Sequence, residues 1–376
     1  MVDKKLVISS DSHIVEPPNL WTDRMDAKKW GDRIPHVVPG DLYDQWLADH
    51  QKVGVIGTFG ATAGLRFERP QDIVREGRIA DVRPGGYDPK ARVKDIDMDG
   101  VYGEVIYPSI GLELFSMRDA AFARQVFHAY NDWVADFCRQ LPHRLRGVAM
   151  LIIDDDIEAG ITDLRQAAAQ HFAGAMISVY PSPEHNYASP MYEPFWNAVE
   201  EVDLPLSLHV STNRPDTQAP KRENLAAQSG GNRVNAEYWL RQSLCHLIYS
   251  GVFERHPGVK VVNVEHDLAW IPFFIQRMDV TYIERPTQTP YRFKSAALPS
   301  DFMRRNVFHS FQEDGLGVRD RGLIGPDNLL WGSDYPHAES TFPKSQQILE
   351  SILEGVPEED RLKIIGGNTK RLYKIT

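Results

Sequence analysis

Four short stretches of the sequence close an apolar run with residues that bind metals or move protons. They are Ser10-Asp11-Ser12-His13, Pro205-Leu-Ser-Leu-His209, Val261-Val-Asn-Val-Glu265-His266-Asp267 and Leu329-Leu-Trp-Gly-Ser-Asp334-Tyr-Pro-His337. Residues two apart on an extended strand face the same side, so Asp11 and His13 present a carboxylate oxygen and an imidazole nitrogen in one direction. Such a pair is suited to a divalent metal. Taken singly, each tip has a plainer explanation, such as an aspartate capping a turn or a histidine satisfied in the core. Taken together they do not, because burying polar groups without partners costs several kcal/mol. The pattern predicts one metal site drawn from Asp11, His13, His209, Glu265, His266 and Asp334. A mixed nitrogen and oxygen set of this kind suits Zn, Mn or Fe and does not choose among them.

Such tips need a scaffold that brings strand ends together. Strand-like runs occur at 6–10, 103–107, 145–151, 174–179, 204–210, 259–264, 306–311 and 329–333. Between them, stretches such as 119–141, 156–171, 190–202, 237–255 and 270–284 repeat apolar residues at helical spacing. Eight strands, each followed by a helix, predict a (β/α)8 TIM barrel spanning 1–376 as a single domain. Residues 14–90, rich in Pro, Gly and Trp, are expected as a long insertion over the barrel mouth. A second long connection, 211–234, follows the fifth strand. An open doubly wound sheet would usually carry a glycine-rich phosphate turn after its first strand, and none is present.

The composition narrows the partners. The 376 residues are 42% hydrophobic and 25% charged, with a formal net charge of −10 and two cysteines. An anionic surface argues against nucleic acid and against a polybasic membrane anchor. Two cysteines suit a reducing compartment, and no stretch approaches the 18 apolar residues of a membrane span. These features predict a cytoplasmic protein acting on a small molecule, with a homodimer as one permitted assembly. Neither a Walker loop, a Gly-x-Gly-x-x-Gly turn, a Gly-x-Ser-x-Gly elbow nor a His-Glu-x-x-His helix occurs.

The constellation resembles the amidohydrolase superfamily, and within it the amidohydrolase-related branch that holds aminocarboxymuconate-semialdehyde and γ-resorcylate decarboxylases beside hydrolases and hydratases. The most specific matches are Ser10-Asp-Ser-His13, Trp270-Ile-Pro-Phe273 and Trp331-Gly-Ser-Asp-Tyr-Pro-His337. By this resemblance, Asp11 and His13 are the first-strand ligand pair and His209 is the fifth-strand ligand. Asp334 is the eighth-strand ligand and base, and His266 the sixth-strand histidine. Two departures matter. Asp11 stands where most members have the first histidine of His-x-His, and the fourth strand, Gly174-Ala-Met-Ile-Ser-Val-Tyr180, has no lysine to bridge two metals. One ion is therefore expected, with Glu265 or Asp11 as the carboxylate that would bridge a second.

The leading expectation is a metal-dependent hydrolase of an amide, ester, thioester or lactone. Asp334 would take the proton from a metal-activated water, and His266 would serve the leaving group or the oxyanion. Non-oxidative decarboxylation or hydration of an aromatic or enoic acid is the alternative, and a non-catalytic metal-binding barrel the third. An arginine near the metal would favour a carboxylate substrate, and Arg214, Arg222 and Arg233 are the candidates. His337, His246, His309 and Glu104 have either a site or a packing role. The aromatics Trp21, Trp30, Phe59, Phe67 and Trp239 either line a pocket or hold the insertion down.

Overall fold

The computed structural model describes residues 7–54, 56–215, 230–231 and 233–375. Strand β1 (Ile8–Ile14) is followed by three short strands of the insertion, β2 (His36–Val38), β3 (Gln45–Ala48) and β4 (Gln51–Gly54). The remaining strands are β5 (Gly103–Pro108), β6 (Leu145–Met150), β7 (Gly174–Ile177), β8 (Leu206–His209), β9 (Val261–Val264), β10 (Val307–Phe311) and β11 (Leu329–Trp331). The sheet order is β1-β5-β6-β7-β8-β9-β10-β11, with every pairing parallel. The last strand returns to the first just beyond β11. Asp334 N–H donates to Asp11 O at 2.8 Å, and His13 N–H donates to Tyr335 O at 2.7 Å. The expected TIM barrel is the fold that forms.

Nearly all residues of these eight strands are buried. That is why they read as continuous apolar runs and not as alternating ones. The first strand departs from expectation. It runs to Ile14, so Asp11 and His13 lie within it and not past its end. The polar run Ser9–Ser12 can be buried in the closing strand because its hydroxyls pair internally. Ser9 Oγ is 2.9 Å from Ser12 Oγ, Ser12 Oγ is 3.0 Å from Ser333 Oγ, and Ser10 Oγ is 2.7 Å from Ser310 Oγ. Gly332 is required at this seam, where an added Cβ would lie 2.6 Å from Asp11 Cβ.

Helices start where side-chain caps satisfy their free N–H groups. Asp119 accepts from Phe122 N–H ahead of Ala120–Arg139, and Asp156 accepts from Ala159 N–H ahead of Ile157–Ala169. The helix expected over 237–255 is two, Tyr238–Tyr249 and Val252–Arg255. They break at Gly251, which has φ +76° and no room for a side chain against Tyr291. In the insertion, β2–β3–β4 form an antiparallel sheet. Trp21 is fully buried there, edge-on to Trp46 at 5.4 Å, with its Nε1–H on Val126 O at 3.0 Å. Among the described residues, no helix is long and apolar enough to cross a membrane.

Candidate metal centre

The C-terminal ends of the barrel strands converge as the sequence pattern requires. Asp11 and His13 come from β1, and His209 closes β8. Glu265 follows β9, and Asp334 follows β11. Asp11, His13, His209 and Asp334 are at most 1% exposed, whereas the Glu265 side chain is 18% exposed and faces the open side. Glu265 and Asp334 both adopt left-handed backbone, with φ +62° and +59°. Non-glycine residues accept this conformation only where the surroundings enforce it.

Two overlapping sets of donors form, Asp11/His13/His209/Glu265 and His13/Glu265/Asp334/His337, with ligand atoms within 4.8 Å of one another. His13 Nε2 lies 3.5 Å from Asp11 Oδ1 and 3.2 Å from Asp334 Oδ1. His209 Nε2 lies 3.7 Å from both Asp11 Oδ1 and Glu265 Oε2. Two ligands each about 2.1 Å from one ion sit roughly 3.0–3.5 Å apart, so these spacings suit a shared cation. Hydrogen bonding supports the same conclusion. His13 Nδ1 is 2.7 Å from Pro108 O and His209 Nδ1 is 3.0 Å from Val210 O. Each bond fixes the N–H on Nδ1 and turns Nε2 inward. Those Nε2 atoms, Asp11 Oδ1 and both Asp334 oxygens are buried with no hydrogen-bond partner in the protein. The residues therefore fit a divalent metal.

The electrostatics agree. Burial and the charges of Asp334 and Asp11 push the Glu265 carboxyl well above its ordinary pKa. Burial also opposes the charged form of Asp334, but His337 and His13 hold its pKa well below the ordinary value. Burial acts to lower the His13 pKa, yet contact with Asp11 and Asp334 raises it well above. These opposed shifts mark a crowding of negative charge that a bound cation would relieve.

His266 enters neither donor set. Its Nδ1 is 2.8 Å from Asn263 Oδ1 and burial pushes its pKa down to about 3, leaving it neutral with a buried, unpartnered Nε2. Asn263 also meets His309 Nδ1 at 3.2 Å, so His309 belongs to this support. Glu104 points outward to a fully buried ion pair with Arg92 at 2.5 Å. Arg214 serves the scaffold through Asp154 and the Phe115 and Met117 carbonyls. Arg233 is mostly exposed and pairs with Glu339. Arg222 lies outside the described residues. His246 sits half-buried near Tyr180 and enters neither donor set. Trp30 packs on Phe122 and Trp239 on Tyr180, whereas Phe59 covers His337 at 5.2 Å. Phe67 lies under the guanidinium of Arg66.

Arg66 and Ser109 escaped the sequence reading, since an arginine and a serine in loops carry no spacing signal. Arg66 comes from the insertion and contacts Glu313, and its buried Nε has no partner. Burial lowers its pKa, and the charge of Asp334 acts in the opposite direction.

Buried carboxylates and imidazoles at the C-terminal tips of a closed parallel barrel define a metal-dependent barrel enzyme. Residues 81–375 match the Amidohydrolase family, and the chain belongs to that family. It is similar to the γ-resorcylate decarboxylase of Rhodococcus jostii (strain RHA1), 26% identical over 272 residues that cover 65% of this chain and 75% of the relative. Two solved structures share its fold. One is an amidohydrolase from Mycobacterium avium subsp. paratuberculosis K-10 (TM-score 0.76, 21% identity, 98% of each chain). The other is the dihydroxybenzoic acid decarboxylase of Polaromonas sp. JS666, which holds manganese and the inhibitor 2-nitroresorcinol (TM-score 0.66, 19% identity, 98% of this chain and 97% of that one). These findings overturn the expected hydrolase. The relative aligned along about two thirds of the chain is a decarboxylase, and the same donor set serves either reaction.

Proposed function

We propose that the protein is a divalent-metal-dependent decarboxylase of an aromatic acid with a hydroxyl beside its carboxylate, and that manganese is its metal. The observation carrying this reading is the alignment with γ-resorcylate decarboxylase. Arg66 adds to it, because its charge lies within reach of Asp334 and favours an anionic substrate. The segment Gly174–Tyr180 carries no lysine to bridge two metals, which supports a single ion. Asp11, His13, His209 and Asp334 would hold the divalent cation, which would supply positive charge for a substrate carboxylate and its neighbouring hydroxyl. His266, held as the Nδ1–H tautomer by Asn263, offers its Nε2 lone pair to a substrate hydroxyl. Asp334 is assigned to carry the proton. A carboxyl group that strongly prefers ionisation is, once protonated, acid enough to protonate a weakly basic ring carbon. The ring carbon takes that proton, its bond to the carboxylate carbon breaks, and CO2 leaves.

The test is CO2 release from γ-resorcylate (2,6-dihydroxybenzoate) and other hydroxybenzoates by enzyme stripped with a chelator and reloaded with Mn²⁺. Release that depends on the metal and is lost in Asp334→Asn with an unchanged circular dichroism spectrum is the expected result. Hydrolysis of ester or lactone substrates with no CO2 from any hydroxybenzoate would overturn the proposal.

A further inference from the structure

At the edge of the second donor set, toward β5, His337 forms a buried pair with Ser109 that the proposed reaction does not use. His337 Nε2 is 2.9 Å from Ser109 Oγ, and its Nδ1 is 2.9 Å from Asp334 Oδ1. Its ring stacks on His13 at 3.8 Å with 21° between planes. Ser109 is fixed in turn. The buried Glu16 carboxylate accepts the backbone N–H groups of Ser109, Ile110 and Gly111 at 3.2, 3.1 and 2.9 Å. Ser109 is 1% exposed and His337 5%.

Chemistry sets the direction of this chain of contacts. Nδ1 faces an ionised carboxylate, so the proton of a neutral ring belongs there, and Nε2 accepts from the Ser109 hydroxyl. Asp334 needs such support. It sits in left-handed backbone and, among the described residues, neither of its oxygens has an aligned hydrogen bond and its one other close ionic contact is His13 Nε2 at 3.2 Å. The His337 contact is at hydrogen-bond length but off axis, a geometry that tightens when the reacting groups are in place.

We propose that His337, set by Ser109 and Glu16, is a positioning residue. By holding Asp334 Oδ1 and stacking on His13, it fixes the spacing between the β1 and β11 donors. Partners that orient a metal's own ligands change affinity or activity about 10–100-fold when removed.

The role rests on the decarboxylase reading only for its kinetic measurement, so two measurements are made on the full-length protein. The first is Mn²⁺ affinity followed by electron paramagnetic resonance, which needs no substrate. His337→Ala is expected to weaken Mn²⁺ binding about 10–100-fold and to lower kcat similarly, with KM changed less than threefold. His337→Asn, which keeps an N–H donor near the Nδ1 position, restores most of both. Ser109→Ala gives a smaller loss, and the double variant is no worse than His337→Ala, as members of one chain of contacts should behave. Mn²⁺ binding within twofold of wild type in His337→Ala, or additive losses in the double variant, would overturn the role. If the wild type releases no CO2 while the affinity pattern appears, the decarboxylase reading fails and the positioning role stands.

Discussion

Asp334 and Arg66 stood very differently in the sequence. Asp334 closes a motif and comes from a strand tip. Arg66 is one of many loop arginines, and only the folded insertion brings it within the field of Asp334. Exposed arginines usually contribute little, but Arg66 is half-buried with an unpartnered Nε, so its loss should be felt in substrate binding. Arg66→Ala is expected to raise KM for a carboxylate substrate about 10-fold or more, in line with the energy of charge-assisted hydrogen bonds, with Mn²⁺ affinity unchanged. A steady-state titration checks this, and an unaltered KM would remove Arg66 from the site. Glu265 and His266 show why adjacent candidates could not be ranked in advance. Neighbours at a strand tip point opposite ways, and the left-handed turn at Glu265 decides which one faces the donors.

At the scale of elements, strands were legible because burial on both faces leaves unbroken apolar runs. Their long-range ties were not. Arg92, on the helix Pro89–Asp99, reaches β5 through Glu104 and donates to His13 O at 2.7 Å, bracing β1 directly behind its ligand. No local pattern reports such a contact. Removing one member of a buried pair leaves a charge without compensation and costs about 3–5 kcal/mol. Glu104→Gln is therefore expected to lower the urea midpoint clearly. Glu201→Gln, which breaks the exposed Arg165–Glu201 pair, leaves the midpoint nearly unmoved. Equal shifts in the two variants would contradict this account. The helix break at Gly251 was illegible for a related reason, because the obstacle is the ring of Tyr291, forty residues away in sequence.

For the molecule as a whole, the donor set was readable and the reaction was not, since hydrolysis and decarboxylation ask for the same ligands. Global stability carries its own signature. Asp99 joins the end of the helix Pro89–Asp99 to Ser345, accepting from its N–H and hydroxyl at 2.9 and 2.5 Å. Burial outweighs these bonds and pushes Asp99 up to about 6. The folded protein thus holds this proton more tightly than the unfolded chain, whose value is about 3.9. The stabilising contribution is complete below pH 4 and is lost as pH rises toward 6, a difference of about 2–3 kcal/mol. Asp99→Asn should remove that slope, so the stability of wild type relative to the variant falls between pH 4 and 6 and is flat above. Parallel curves in denaturant titrations across that range would refute the assignment.

The seam between β1 and β11 has a consequence for biosynthesis. Asp11 and Asp334 are joined there by a backbone hydrogen bond, yet 322 residues separate them in the chain. A ribosome has made all eight barrel strands before the second of these carboxylates exists, and loop closure over that span is slow. Metal capture by the full centre is therefore a late event, an acquisition by the finished barrel and not by the emerging chain. Once captured, an ion held by donors from both edges would act as a clasp on the join, so its departure and the opening of the barrel should be linked in time.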